Sequence, residues 1–107
     1  MKMDRMLLFR KTFLDETEKA YSLEYFLLVG SDGAEPVYGA EIRLADEKGF
    51  LEEDSFIGLS RKGETAEAFL RKLWEGAALP VELAALCDDF ISERERLGEY
   101  AFAVAAS

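Results

Sequence analysis

The sequence predicts an α+β domain: a four-stranded antiparallel meander followed by a two-helix hairpin packed on one face of the sheet. Three observations carry this expectation. Apolar residues alternate at period two through roughly the first sixty positions, the pattern of half-buried strands. From about residue 63 the apolar period becomes helical. Between the alternating stretches lie DETEK, GSDGAEP and DEKG, each short enough to join consecutive strands as a hairpin.

The first strand is expected at about 6–14, where Leu7, Phe9 and Phe13 fall at even spacing. The second, about 20–30, alternates through Tyr21, Leu23, Tyr25, Leu27 and Val29. The third, about 37–45, sets Tyr38, Ala40, Ile42 and Leu44 on one face and Glu41 and Arg43 on the other. The fourth, about 50–59, is the least regular, because Glu52, Glu53 and Asp54 interrupt its apolar residues, and a bulge or a late start near Asp54 is expected. A first helix over about 63–76 buries Ala66, Phe69, Leu70, Leu73 and Ala77, with Gly76 expected as the residue just past its end. Pro80 suits the first position of a second helix, about 80–94, whose apolar stripe is Leu83, Leu86, Cys87 and Phe90. Residues 95–107 admit two readings: continued helix through the alanines, or a strand formed by Tyr100, Phe102 and Val104. One domain of residues 1–107 is expected, without repeats or linkers.

A chain of 107 residues that is 50% apolar can build one core without metal or disulfide staples. Its net charge of −9 argues against binding the phosphate backbone, which needs clustered Lys and Arg. Cys87 has no partner for a disulfide, which suits a reducing compartment, and a cytoplasmic location is expected. The apolar run in MKMDRMLLF stops at Arg10 and Lys11, too short for a signal segment or a membrane span.

Histidine is absent, which removes the commonest general base and the commonest zinc ligand. A single cysteine makes no CxxC centre, and no GxGxxG or GxxxxGK[ST] occurs. No cofactor and no metal site is expected. GSDG at 30–33 is better read as a turn than as a phosphate cradle, since no helix comes after it. Glu52, Glu53 and Asp54, with Asp46 and Glu47, form the densest acidic cluster. Its spacing matches no calcium loop, and a solvated sheet edge accounts for it. Trp74 and the tyrosines lack interleaved basic residues, so packing explains them better than base stacking. In LCDDF, Cys87 is expected to be buried and inert and Asp88 wet, while Asp89 is placed to reach a loop or Arg43.

The order of elements, the strand VYGAEI with Tyr38, Gly39, Glu41 and Ile42, and LPVELAALCDDFI with Pro80, Leu83, Asp89 and Phe90 resemble a family of short bacterial proteins, a domain of unknown function. The likeness covers roughly residues 20–91. It implies no activity, cofactor or catalytic residue.

Helices on one face leave the other to be explained. Alternation puts Met6, Leu8, Leu14, Phe26 and Leu28 opposite the core set, and an apolar patch there marks a contact surface unless the C-terminal segment covers it. The function expected is therefore a non-catalytic interaction module whose partner is another protein or a second copy, with neither nucleic acid nor membrane involved. The alternative is a small enzyme or ligand-binding protein using Glu41, Glu52, Asp54 and Asp89. A third reading is an acidic inhibitor or nucleic-acid mimic that docks on a basic protein.

Overall fold

The computed structural model describes residues 3–96. Four strands, β1 (Asp4–Leu14), β2 (Ala20–Asp32), β3 (Glu35–Asp46) and β4 (Gly49–Ser60), pair antiparallel in the order β1-β2-β3-β4. After them come helix α1 (Gly63–Glu75), a 3₁₀ turn at Pro80–Glu82 and helix α2 (Leu83–Arg96). The α+β meander and its two helices are thus as the sequence predicts. Both readings of residues 97–107 lie outside the described residues.

Side-chain alternation decides what each strand contributes. Leu23, Tyr25 and Leu27 of β2 and Ala40 and Ile42 of β3 meet Ala66, Phe69, Leu70 and Leu73 of α1 and Leu83 and Cys87 of α2 in one core. All of these strand residues share one face through the pairs Leu23↔Leu44, Tyr25↔Ile42 and Leu27↔Ala40. Phe69 packs against Phe90 across the two helices, ring centres 4.5 Å apart.

Tyr25 joins the sheet to the segment between the helices. It is 0% exposed, and its hydroxyl donates to the Ala78 carbonyl at 2.9 Å. Ala78 lies just past the end of α1, where the chain reverses through a Schellman motif. The Ala77 N–H bonds the Trp74 carbonyl and the Ala78 N–H bonds the Leu73 carbonyl. The left-handed position belongs to Ala77, at φ 52°, and not to Gly76, which stays at φ −89°. Gly76, expected just past the helix, is instead its last half-helical residue, and an alanine carries the strained backbone. Glu82 then accepts the Leu79 N–H at 2.8 Å, fixing the start of the 3₁₀ turn ahead of α2.

The outer strands are irregular. In β1 the register shifts between Leu7 and Phe9, so Leu8 is an extra residue and the two ends of the strand show opposite parity. In β4, Leu51 is extra opposite the Leu44/Ala45 step, and residues 57–59 bulge opposite Gly39. There the main chains come close: a Cβ on Gly39 would lie 2.3 Å from the Phe56 carbonyl oxygen. Only glycine fits, which gives the VYGAEI strand a physical reason for its third residue.

Substitutions at this joint should change stability in opposite directions. Tyr25→Phe leaves the buried Ala78 carbonyl without its donor and should cost about 1–3 kcal/mol in chemical denaturation. Ala77→Gly relieves a positive φ and should raise stability by roughly 0.5–1 kcal/mol, read as a midpoint shift at constant m-value.

Candidate functional site

The face of the sheet turned away from α1 and α2, helix-free among the described residues, is built by the alternate residues of each strand. Beyond the β1 bulge these are Arg10, Thr12 and Leu14, and before it Arg5 and Leu7. From the inner strands come Ser22, Glu24, Phe26, Leu28, Gly39, Glu41, Arg43 and Ala45, and from β4 come Ser55, Glu53 and Phe50. Its centre is not a bare apolar patch. The Phe26 ring lies beneath two guanidinium groups, Arg5 at 5.3 Å and Arg43 at 5.6 Å. Arg43 also reaches over Phe50, at 5.5 Å.

Glu41 sits among these cations and is 8% exposed. It accepts from Arg5 at 2.9 Å and lies 3.6 Å from Arg43, which also donates to Glu53 at 3.1 Å. Arg10 donates to Glu24 on the same face. These carboxylates and guanidiniums hold one another across strands that alternation alone would have read as half apolar. A carboxylate this shielded is retained only with its partners in place.

The residues predicted to form the contact surface divide between the two faces. Phe26 and Leu28 are on the helix-free face, Phe26 half-buried under the arginines and Leu28 buried. Leu14 is there too, 65% exposed at the hairpin end. Met6 is not: it pairs with Leu27 and so faces the helix side, at an exposed margin. Leu8, the bulge residue, packs against the core cluster. The single extra residue exchanges the faces of Met6 and Leu7, and Leu7, paired with Phe26, takes the place expected of Met6.

The candidate carboxylates are not gathered. Glu41 is on the helix-free face, whereas Glu52 and Asp54, opposite Leu44 and Ile42, face the other way. Asp89 is exposed on α2 and Arg43 is engaged across the sheet, so the contact envisaged between them does not form. Among the described residues no group of three or more Cys, Asp or Glu could hold a metal ion. Two shallow grooves flank α1. One, of about 260 Å³, is lined by Phe69, Lys72, Phe90 and Arg94, and the other, of about 420 Å³, by Leu8, Phe9 and Arg71. None of the four carboxylates lines either groove. No helix among the described residues is long and apolar enough to cross a membrane.

Sequence reasoning missed the arginines Arg5 and Arg10 and the acids Glu24 and Glu53 as members of this face. Glu24 was legible, since it alternates with Tyr25 and shares the parity of Phe26. Arg5 was hidden by the bulge.

Cys87 is 0% exposed in the core. Burial, helped by the negative charges of Asp88 and Asp54, pushes its thiol from 9.0 up to about 12. Burial, with Glu82 nearby, likewise pushes the Tyr25 phenol from 10.0 to about 12. Both groups keep their protons in the native state at pH values where the unfolded chain releases them. Their contribution to stability is therefore complete below about pH 9 and is lost as pH rises toward 12. Denaturation midpoints should fall progressively above pH 9, and Cys87 should be alkylated only at the rate of unfolding. Alkylation of native protein at the rate of a free thiol would contradict this.

A family model described as a family of unknown function, DUF6514, matches residues 4–93, from the first residue of β1 into α2. No curated protein and no solved structure shows a significant match to the chain.

Proposed function

Since the chain belongs to DUF6514, a family of unknown function, we propose its role from its surface: a non-catalytic, cytoplasmic interaction module that docks a protein on the helix-free face of its sheet. A second copy is the simplest such partner. One observation carries the proposal. In a chain of net charge −9, the centre of this face sets Arg5, Arg10 and Arg43 against Glu24, Glu41 and Glu53, and so is balanced where the molecule as a whole is acidic. Exposed apolar side chains lie around the balanced centre, among them Leu7, Leu14 and Phe50. A neutral centre among exposed apolar groups has the composition of a docking patch. The buried, unpaired Cys87 is consistent with a reducing compartment. The dispersed carboxylates provide no observation that favours the enzymatic alternative.

Isolation from native lysate tests the proposal, with wild type and a Leu14→Glu/Phe50→Glu variant as baits. Leu14 and Phe50 are 65% and 55% exposed, so the substitutions spare the core. The expected result is a protein, a second copy included, retained by wild type and lost by the variant. Equal recovery by both baits would overturn the choice of this face.

A further inference from the structure

The strand register aligns four charges in one row across the helix-free face. Arg10 of β1 pairs with Glu24 of β2, Glu24 with Arg43 of β3, and Arg43 with Glu53 of β4. Reading across the sheet, the row is plus, minus, plus, minus. Within the chain it closes as two ion pairs, Arg10 with Glu24 and Arg43 with Glu53.

A row of this kind has a symmetry property that a random mixture of charges lacks. Reversed, it becomes minus, plus, minus, plus, the complement of itself. A two-fold axis parallel to the strands, lying between two facing sheets and centred between β2 and β3, performs this reversal. It carries β1 over the β4 of a second copy and β2 over its β3. Arg10 then faces Glu53 of the other copy and Glu24 faces its Arg43, so that each charge meets its opposite. An axis across the strands would set every residue against itself, Arg10 on Arg10 and Glu24 on Glu24. The row therefore selects one orientation out of two.

We propose that the partner of the helix-free face is a second copy of this chain, in a two-fold dimer with its axis along the strands and the Arg10, Glu24, Arg43, Glu53 row at its centre. The proposal rests on the interaction reading above and specifies it. The neighbouring row supports it: Thr12, Ser22, Ala45 and Phe50 lie side by side through the same register, and the reversal sets the Phe50 ring over Thr12 of the other copy and Ser22 over its Ala45, where small side chains leave room. Aligned sheets pack with their strands about 30° apart, which displaces the ends of the row by only about 4 Å, within the reach of an arginine.

The area suffices. Strands of 11 to 13 residues, at about 3.3 Å per residue and spaced about 4.8 Å, give a face of roughly 750 Å². A standard interface buries about 800 Å² per partner. Charge also limits the choice. Two copies of net charge −9 repel each other at long range, and the balanced centre of this face lets them approach there without setting acid against acid, while Asp32 and Glu35 at one end of the strands are each paired with Arg61.

Charge reversal in the full-length chain tests the proposal, with molar mass followed over a concentration range by sedimentation velocity. Wild type should dimerise. Arg10→Glu places two like-charge contacts in each dimer and should weaken association by about tenfold or more, as should Glu53→Arg. The double variant Arg10→Glu/Glu53→Arg makes the row minus, minus, plus, plus, whose reversal is again its complement, so association should return to within about threefold of wild type. Within one chain the two positions are on opposite outer strands, about 14 Å apart. Neither can repair the ion pair the other has lost, so recovery reports contact between copies and not repair of the fold. A double variant as weak as the singles would overturn the proposal, as would a wild type that stays monomeric throughout. If wild type is monomeric while the lysate experiment still recovers a protein that depends on Leu14 and Phe50, the second copy is ruled out and the interaction module stands.

Discussion

A mismatch of lengths governs this molecule. Helices of 13 and 14 residues rise about 20 Å, whereas the strands they must cover extend about 36–43 Å. The helices therefore seal one half of one face. Every deeply buried strand residue of the main core lies under them, and the remainder of the sheet is stabilised in other ways. At the hairpin end, Phe13 stacks on Tyr21 with ring centres 5.4 Å apart, and Lys19 lies over Tyr21 while bonding Asp46 at 3.0 Å. On the opposite face, guanidinium groups laid over Phe26 and carboxylates laid between them take the place of a second helical layer. Exposed ion pairs contribute little singly, and their organisation into rows counts for more than their number.

Open edges are the other consequence of a meander. Both outer strands present main chain to solvent, an invitation to unplanned strand addition. In β1 the bulge at Leu8 breaks the regular ladder, and α1 engages the strand just beyond it. Trp74 donates its indole N–H to the Arg10 carbonyl, and Lys11 reaches the Glu75 carbonyl at the helix C-terminus. That exchange also places a cation at the negative end of the helix dipole. In β4 the protection is Glu52, Glu53 and Asp54 together with two irregularities in register.

The inner strands were legible in the sequence and the outer ones only partly, for a physical reason. β2 and β3 are paired on both sides, so a slip would turn Leu23, Tyr25 and Ile42 out of the core, and their alternation is clean. β1 tolerates an extra residue because only one neighbour constrains it, and the run Leu7, Leu8, Phe9 gives no sign of which member is extra. Parity was therefore lost for Arg5, Met6 and Leu7 together. Lys11, with the parity of Phe9 and Phe13, was a visible warning that this side of the sheet is not covered along its whole length. The charged row was beyond sequence reasoning for a different cause. Glu24, Arg43 and Glu53 can each be assigned a face by counting, but their alignment depends on register across three strand pairs and on the extra residue Leu51 in β4. Pro80 and the helical stripe were legible because their signals are local, whereas the left-handed Ala77 beside a glycine was not.

The contact between α1 and β1 has a spectroscopic consequence. Trp74 is the one tryptophan in the sequence, and it sits at the joint between helix and sheet: stacked on Phe9 with ring centres 5.1 Å apart, beneath Lys11, and hydrogen-bonded to the outer strand. Its surroundings are set by the docking of α1 on β1, while the strands can pair without it. Indole emission is thus a native reporter of helix docking, separable from the infrared amide I band of the paired strands, which reports on the sheet. Disagreement between the two signals during refolding would mark a stage at which the meander is paired and the helical layer has yet to close over it.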